Sequence, residues 1–397
     1  MIKQLLITAA FFAAISNAPL AQENPVRVGI LFGFTGPIES MAPVIADSAE
    51  LALSEATQSG AFLKGRALVP VRADSTCVDT QLAVAAAERL VTADKVVAII
   101  GAGCSGAASA VLANVALPHG RLSISPTATS PGLSDAPDDG LFFRTAPSDA
   151  RQGEVIAQLL IEKDIRKIAV TYTGNDYGKG LSDSFSRAFI RRGGTVLIAA
   201  AHTDGKADYT AEIATLAASG AAILMVAGYA DQGGRAIIQA SLNTGAFDRF
   251  ILPDGMVSES LIEEFGAALA GSIGTLPGAD NERVMQFERL LQAHDITGQA
   301  PFRAEAYDAA AVLALAMQAA GTTDSKAVAK MMLRVANAPG IKIGPGEIGR
   351  GLRILSQGGE IDYVGASAVE FTPEGDANGT YREVTFSENG FETVRIW

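Results

Sequence analysis

The stretch "VVAIIGAGCSGAASAVLANV", residues 96–115, decides how the chain is read. Val97 to Ile100 is an apolar run of the kind a buried strand shows. Gly101, Gly103 and Gly106 follow at G-x-G-x-x-G spacing, and a helix opens after Ser105. Strand, glycine loop and helix is the layout of a dinucleotide site, where the pyrophosphate rests on the helix N-terminus. Two features argue against a nucleotide. The segment "RLSISPTATS" (121–130) contains no acid to hold a ribose, and Cys104 interrupts the loop. The same unpaired N–H groups and positive dipole end suit a small carboxylate equally well. A tight turn with no ligand is the plainer alternative.

On both sides of this loop strand and helix alternate. "VRVGILFG" (26–33), "RALVPVRAD" (66–74) and "RLSIS" (121–125) read as strands, with helical periodicity over 41–57 and 79–94. A second series begins after "LFFRTAPSD" (141–149), with "KIAVTYT" (167–173), "TVLIAAA", "AAILMVAG" and "RFILPDG" as its strands. The segment "GTLPGADNERV" (274–284) breaks the alternation with Gly and Pro and reads as a crossing between units. Two long helices (302–320 and 324–336) and a β-rich tail from Ile361 complete the chain. The pattern predicts two α/β lobes built from parallel βαβ units. Ligands in such sheets gather at the carboxyl ends of the strands. Those ends carry "FGFTGP", "GAGCSG", "SPTATS", "TGNDYG", "AGYAD" and "PDG", which belong to both lobes and point to a cleft between them.

Composition bounds the function. A chain of 397 residues with 48% hydrophobic and 19% charged content is globular and long enough for two cores. Its net charge of −12 argues against a nucleic-acid partner, which needs a basic face. At the N-terminus Lys3 precedes the apolar run Leu5–Ile15 and then small residues. This reads as a signal peptide over 1–21, and hence export to the periplasm. The apolar run is too short to span a bilayer comfortably, and no cysteine near the cleavage point signals a lipid anchor. The two cysteines, Cys77 and Cys104, suggest a disulfide in an exported chain, with two buried free thiols as the alternative. Three scattered histidines (His119, His202 and His294) have no metal-ligand spacing, and no cofactor is expected.

Taken together these stretches resemble the periplasmic amino-acid-binding proteins of ABC importers, of the leucine/isoleucine/valine type. The resemblance rests on "FTGP", "CVDTQLAVAAAERLV", "GAGCSGAAS", "ISPTATSP", "FRTAPSD", "NDYGKGLSDSF", "AGYADQGG", "LPDG" and "FTPEGD", in family order across nearly the whole mature chain. It implies a type I periplasmic binding fold: two Rossmann-like lobes with parallel central sheets, joined by three crossing segments. Lobe 1 is expected over 25–147 and 278–375, and lobe 2 over 148–277 and 376–397. The resemblance also implies the Cys77–Cys104 disulfide.

The resemblance implies the ligand site as well. Ser105 would bind the ligand's α-carboxylate. The backbone of Thr127 and the hydroxyl of Thr129 would hold its head group, and Asp254 would pair with its ammonium. Tyr177 and Tyr229 would line the pocket from lobe 2, and Phe302 would add an apolar wall. Read without the family, Asp254 is a turn residue before Gly255, and the aromatics are ordinary core. One segment departs from the pattern: "TGPIESMAPV" places Met41 and Ala42 where the family often has Tyr-Gly. That loop touches the ligand side chain in the family. Glu39 facing the cleft would admit a cationic or polar ligand; facing solvent, it would mean nothing.

The expected function is a periplasmic solute-binding protein. It would close on an amino acid, branched-chain or related, and deliver it to an inner-membrane ABC permease. An amino-acid or amide sensor of the same fold is the alternative. Nothing signals an oligomer, so a monomer is expected. An exported hydrolase is disfavoured, since neither a G-x-S-x-G elbow nor H-E-x-x-H occurs and no histidine stands near a candidate nucleophile.

Overall fold

The structure, a computed structural model, describes residues 24–397. The signal-peptide reading of 1–21 lies outside them. Five strands come first: β1 (Val26–Phe32), β2 (Leu68–Asp74), β3 (Ala98–Gly101), β4 (Leu122–Ser125) and β5 (Phe142–Pro147). Five more follow: β6 (Lys167–Thr173), β7 (Thr195–His202), β8 (Leu224–Ala227), β9 (Phe250–Leu252) and β10 (Ile273–Pro277). The short β11 (Ile341–Ile343) and β12 (Ile361–Tyr363) pair in parallel on their own. Last come β13 (Asp376–Ala377), β14 (Tyr381–Ser387) and β15 (Gly390–Ile396).

Two sheets result. The first runs β13-β5-β4-β3-β1-β2 and the second β15-β14-β10-β9-β8-β6-β7. Every pairing among β1–β5 and among β6–β10 is parallel. Among the described strands the C-terminal hairpin alone runs antiparallel, against β10 and within itself, besides one isolated antiparallel bridge between Phe371 and Ala377. In each sheet the first strand lies between the second and the third, so the order reverses there. That reversal opens a crevice at the carboxyl ends of the strands. The crevices lie between β1 and β3 and between β6 and β8, and the two face each other.

The chain passes from the first sheet to the second after β5, returns after β10 and passes again after β13. These three crossings are tied side by side. Gly278 N donates to Thr380 O at 3.1 Å, Thr380 Oγ1 donates to Gly278 O at 2.8 Å, and the Tyr381 hydroxyl donates to Pro147 O at 3.3 Å. Two details differ from expectation. Residues 274–277, the first part of the stretch read as a crossing, belong to strand β10 of the second sheet, and the crossing begins at Gly278, where the expected lobe bounds had placed it. Asp376 and Ala377, assigned to lobe 2, pair with β5 in the first sheet. Asp376 is held there by the fully buried Arg144 guanidinium, 2.7 Å away.

Local chemistry places the loops. Asp79 caps the helix Thr80–Thr92 by accepting from Gln81 N at 2.8 Å, and Asn175 caps Asp176–Arg191 through Gly178 N at 3.1 Å. Gly101 adopts φ +129°, and a Cβ there would lie 2.3 Å from Leu31 O. Glycine is therefore required where β3 ends against β1. Cys77 and Cys104 are bonded, with Cα atoms 5.6 Å apart, and so clip the loop after β2 to the loop after β3. Their separation of 27 residues makes the link worth about 3.5 kcal/mol on the chain-entropy estimate. Among the described residues, no helix is long and apolar enough to cross a membrane, and no acid, histidine or cysteine cluster is placed to hold a metal.

Candidate binding site

The facing crevices enclose one narrow cavity. Six of the seven residues expected at the site line it: Ser105, Thr127, Tyr177, Tyr229, Asp254 and Phe302. They come from both lobes. Ser105 opens the helix Ser105–Val111 after β3, and Thr127 follows β4. Tyr177 starts the helix after β6, Tyr229 follows β8, and Asp254 follows β9. Phe302 immediately precedes the helix Arg303–Ala320 with φ +68°, a conformation uncommon for a bulky side chain.

Thr129 is the exception. It is buried one layer behind the cavity, and its hydroxyl donates to Asp149 Oδ2 at 2.9 Å. Ser105 Oγ accepts from Ser130 N at 3.1 Å, which leaves its proton free to donate. Thr127 Oγ1 donates to Gly103 O at 2.6 Å, tying the loop after β4 to the glycine loop after β3.

The second lobe supplies the charge. Asp254 Oδ1 accepts from the Tyr177 hydroxyl at 2.8 Å and from Gly255 N at 2.6 Å. Its other oxygen, Oδ2, is buried and has no partner. Burial pushes the Asp254 carboxyl up to about 6, while Tyr177, the Gly255 N–H and the Gln152 amide hold it down. Burial also pushes the Tyr177 phenol well above its usual range, with the Asp254 charge adding to the effect, so it stays a donor. Tyr177 stacks on Tyr229 with ring centroids 5.1 Å apart, and this fixes both rings.

The opposite wall is apolar. Ile38, Met41 and Ile45 face the cavity together with Phe302. Met41 and Ile45 are four apart at the start of the helix Ala42–Gln58, so they share its inner face. Glu39 does not take part: it is exposed, and its carboxylate accepts from Gly36 N at 3.2 Å. The departure in the first loop therefore replaces one apolar surface with another and brings no charge to the cavity. These three residues were not identified from sequence as contacts. Met41 was visible only as a deviation from a pattern.

The lobes meet across the cleft. Ser40 N and Oγ donate to Asp231 Oδ2 at 2.9 and 2.8 Å, and Asp231 N donates to Pro37 O at 3.3 Å. On the other side the helix Asp176–Arg191 packs so closely that a Cβ on Gly180 would lie 2.8 Å from Pro131 Cδ. The conformation is thus a closed one.

Two doubly wound lobes with a shared cleft, acidic on one wall and apolar on the other, define a solute receptor of the two-lobe, type I kind. The chain matches the periplasmic binding protein family over residues 25–351 and belongs to it. A Leu/Ile/Val-binding protein homologue of Brucella melitensis is 30% identical over 337 residues, covering 83% of this chain and 88% of its own. A leucine binding protein from Thermotoga maritima superposes with a TM-score of 0.79 at 21% identity, over 94% of this chain and 98% of that one. A solute binding protein from R. palustris, solved with benzoate, superposes with a TM-score of 0.78 at 16% identity, over 94% and 96%. At such identities the two structures share the fold with this chain, and no more is taken from them.

Proposed function

We propose that this protein is exported to the periplasm, captures an α-amino acid with an aliphatic side chain and presents it to an ABC permease. The observation that carries this reading is the unpaired, buried Asp254 Oδ2 in a cavity whose other wall is Ile38, Met41, Ile45 and Phe302. An ammonium is the natural partner for that oxygen, because a charge-assisted bond in a dry site is strong. The Ser105 hydroxyl and the loop of Thr127 face the same space and suit the carboxylate. The apolar wall suits a leucine, isoleucine or valine side chain, in line with what the Brucella relative's name says of that family branch.

Ligand contacts are divided between lobes, so only closure completes them. Ligand binding therefore favours the closed form. Overpacking a tight contact costs about 1–3 kcal/mol. Gly180→Val is accordingly expected to hold the lobes apart and weaken L-leucine binding about ten- to a hundredfold. Small-angle scattering with saturating L-leucine would show incomplete compaction. Full compaction in that variant would remove Gly180 from the closing face.

An aromatic acid such as benzoate is disfavoured, because it has no donor for Asp254 Oδ2 and would bring a second negative charge beside it. The deciding experiment is calorimetric titration of protein stripped by unfolding and refolding. L-Leucine, L-isoleucine, L-valine and benzoate are the ligands. Binding of the aliphatic amino acids is expected. Binding of benzoate alone would keep the fold and overturn the role of Asp254.

A further inference from the structure

The segment "TGPIESMAPV" (35–44), which departs from the family pattern, gives the cavity only Ile38 and Met41. The rest of it has another use. Its turn is closed by Glu39 N donating to Gly36 O at 3.3 Å and Met41 N donating to Ile38 O at 3.0 Å. Two of its main-chain groups, the Ser40 N–H and the Pro37 carbonyl, find partners in the other lobe. Both are met by one residue, Asp231, two positions after Tyr229 in the loop that follows β8. Asp231 Oδ2 accepts from Ser40 N and Ser40 Oγ, while Asp231 N donates to Pro37 O. None of these three residues lines the cavity.

The carboxylate is aimed by its own lobe. Asp231 Oδ1 accepts from Ser260 Oγ at 3.2 Å, and Ser260 Oγ lies 2.8 Å from Ser258 Oγ. Arg235 reaches the main-chain oxygen of Asp231 at 3.4 Å and the Glu264 carboxylate at 3.3 Å, so the Asp231 carboxylate is left to Ser260 and Ser40. Glu39, the like charge beside Ser40, is turned back to Gly36 N. Among the described residues, the other hydrogen bonds between the lobes sit on the crossings or on residues next to them, as with Tyr381 to Pro147 and Thr129 to Asp149. Groups near a hinge separate little when it turns, and groups away from it separate most. The Asp231 contacts therefore belong to the closed form.

We propose that Asp231 is the latch of the cleft: a positioning residue of the second lobe that grips the turn at Pro37 and Ser40, and so holds the apolar wall of Ile38 and Met41 against the wall that carries Asp254. Its bonds are made only on closure and touch no ligand atom. They raise the closed fraction by the same factor whatever the ligand's side chain, and apparent affinity scales with that fraction. Retention is thus set partly by the latch, while discrimination between ligands is left to the cavity. The contribution to amino-acid affinity rests on the function proposed above; the meeting of Ser40 with Asp231 does not.

The test titrates L-leucine and L-valine into wild type, Ser40→Ala, Asp231→Ala and the double variant. Asp231→Ala loses a charge-assisted acceptor and should bind both ligands about tenfold more weakly, seen as faster dissociation. Ser40→Ala keeps its N–H and should lose about threefold. The double variant should bind as Asp231→Ala does, because the Ser40 hydroxyl acts only through that carboxylate. Unchanged affinity in Asp231→Ala, fully additive losses, or a changed ratio of leucine to valine affinity would each overturn the latch. A second measurement needs no ligand. Ser40→Cys combined with Asp231→Cys should form a cross-link between positions 40 and 231 under mild oxidation, read by peptide mapping. If it does not, the two residues do not meet and the proposal fails. Wild type that binds neither amino acid would refute the amino-acid reading, while the cross-link still decides the latch.

Discussion

Asp254→Ala is expected to weaken L-leucine binding by about 2–5 kcal/mol, the range for truncating one partner of a buried charge pair. Almost nothing else in the cavity could replace it. Its Oδ1 is already occupied by Tyr177 and Gly255 N, so the effect comes from Oδ2, which has no hydrogen-bond partner and only the Gln152 amide, itself bonded to Thr275, nearby. The same carboxylate sets the pH response. Lifted to about 6 by burial, Asp254 must be ionised to meet an ammonium. Affinity should be level above about pH 6 and fall by up to tenfold per unit below it, with a proton released on binding in that range. Stability of the ligand-free protein runs the other way. The raised carboxyl contributes stability below its unfolded pKa near 4, and that contribution is lost as pH rises through about 6. Asp254→Ala should therefore melt no lower than wild type at neutral pH, separating a binding defect from a folding defect. Calorimetry across pH and a melting curve at pH 7 check both halves. Unchanged affinity would place the ammonium elsewhere.

Much of this site was legible in the sequence because it lies at strand ends, and strand ends are marked by local chemistry. The runs before Gly101, Gly174 and Gly228 are apolar and β-rich, and the loops after them are short and polar. Those loops read as one cleft between the lobes, and the family resemblance, not the loops alone, singled out Ser105, Tyr177, Tyr229 and Asp254 within it. Thr129 was placed one layer too far forward, because a loop motif does not say which of its hydroxyls an acid behind it will claim. Ile38 and Ile45 were invisible for a different reason. An apolar residue on a helix looks the same whether it faces the core or a ligand, and only the approach of the second lobe distinguishes them. Gln152 was hidden in the opening of an amphipathic helix, since its partner Thr275 lies more than a hundred residues away. The return of Asp376 to the first sheet had no local signal at all. It follows from a partner at position 144.

That partnership carries the second large effect. Asp376→Ala is expected to destabilise the protein by about 3–5 kcal/mol, the cost of stripping one member from a buried ion pair. The Arg144 side chain is wholly buried, and Asp376 grips one edge of the guanidinium with both oxygens, Nε at 2.7 Å and Nη2 at 2.9 Å. The remaining donors reach Ser130 O at 2.8 Å and Ser134 Oγ at 2.6 Å, on the loop that follows Thr127 and Thr129. Those acceptors are neutral, so removing Asp376 leaves a full charge in the interior with no counter-charge. The loop it braces lines the cavity at Thr127 and packs against Gly180 of the other lobe. Binding should therefore weaken together with stability, unlike in Asp254→Ala. Pairing Asp376→Leu with Arg144→Met tests the cause, because removing both charges abolishes the desolvation penalty along with the attraction. The double variant is expected to unfold at higher denaturant than Asp376→Ala. If it unfolds at the same concentration, the loss comes from disrupted packing of β13 against β5, and an uncompensated charge is not the reason this pair spans the chain.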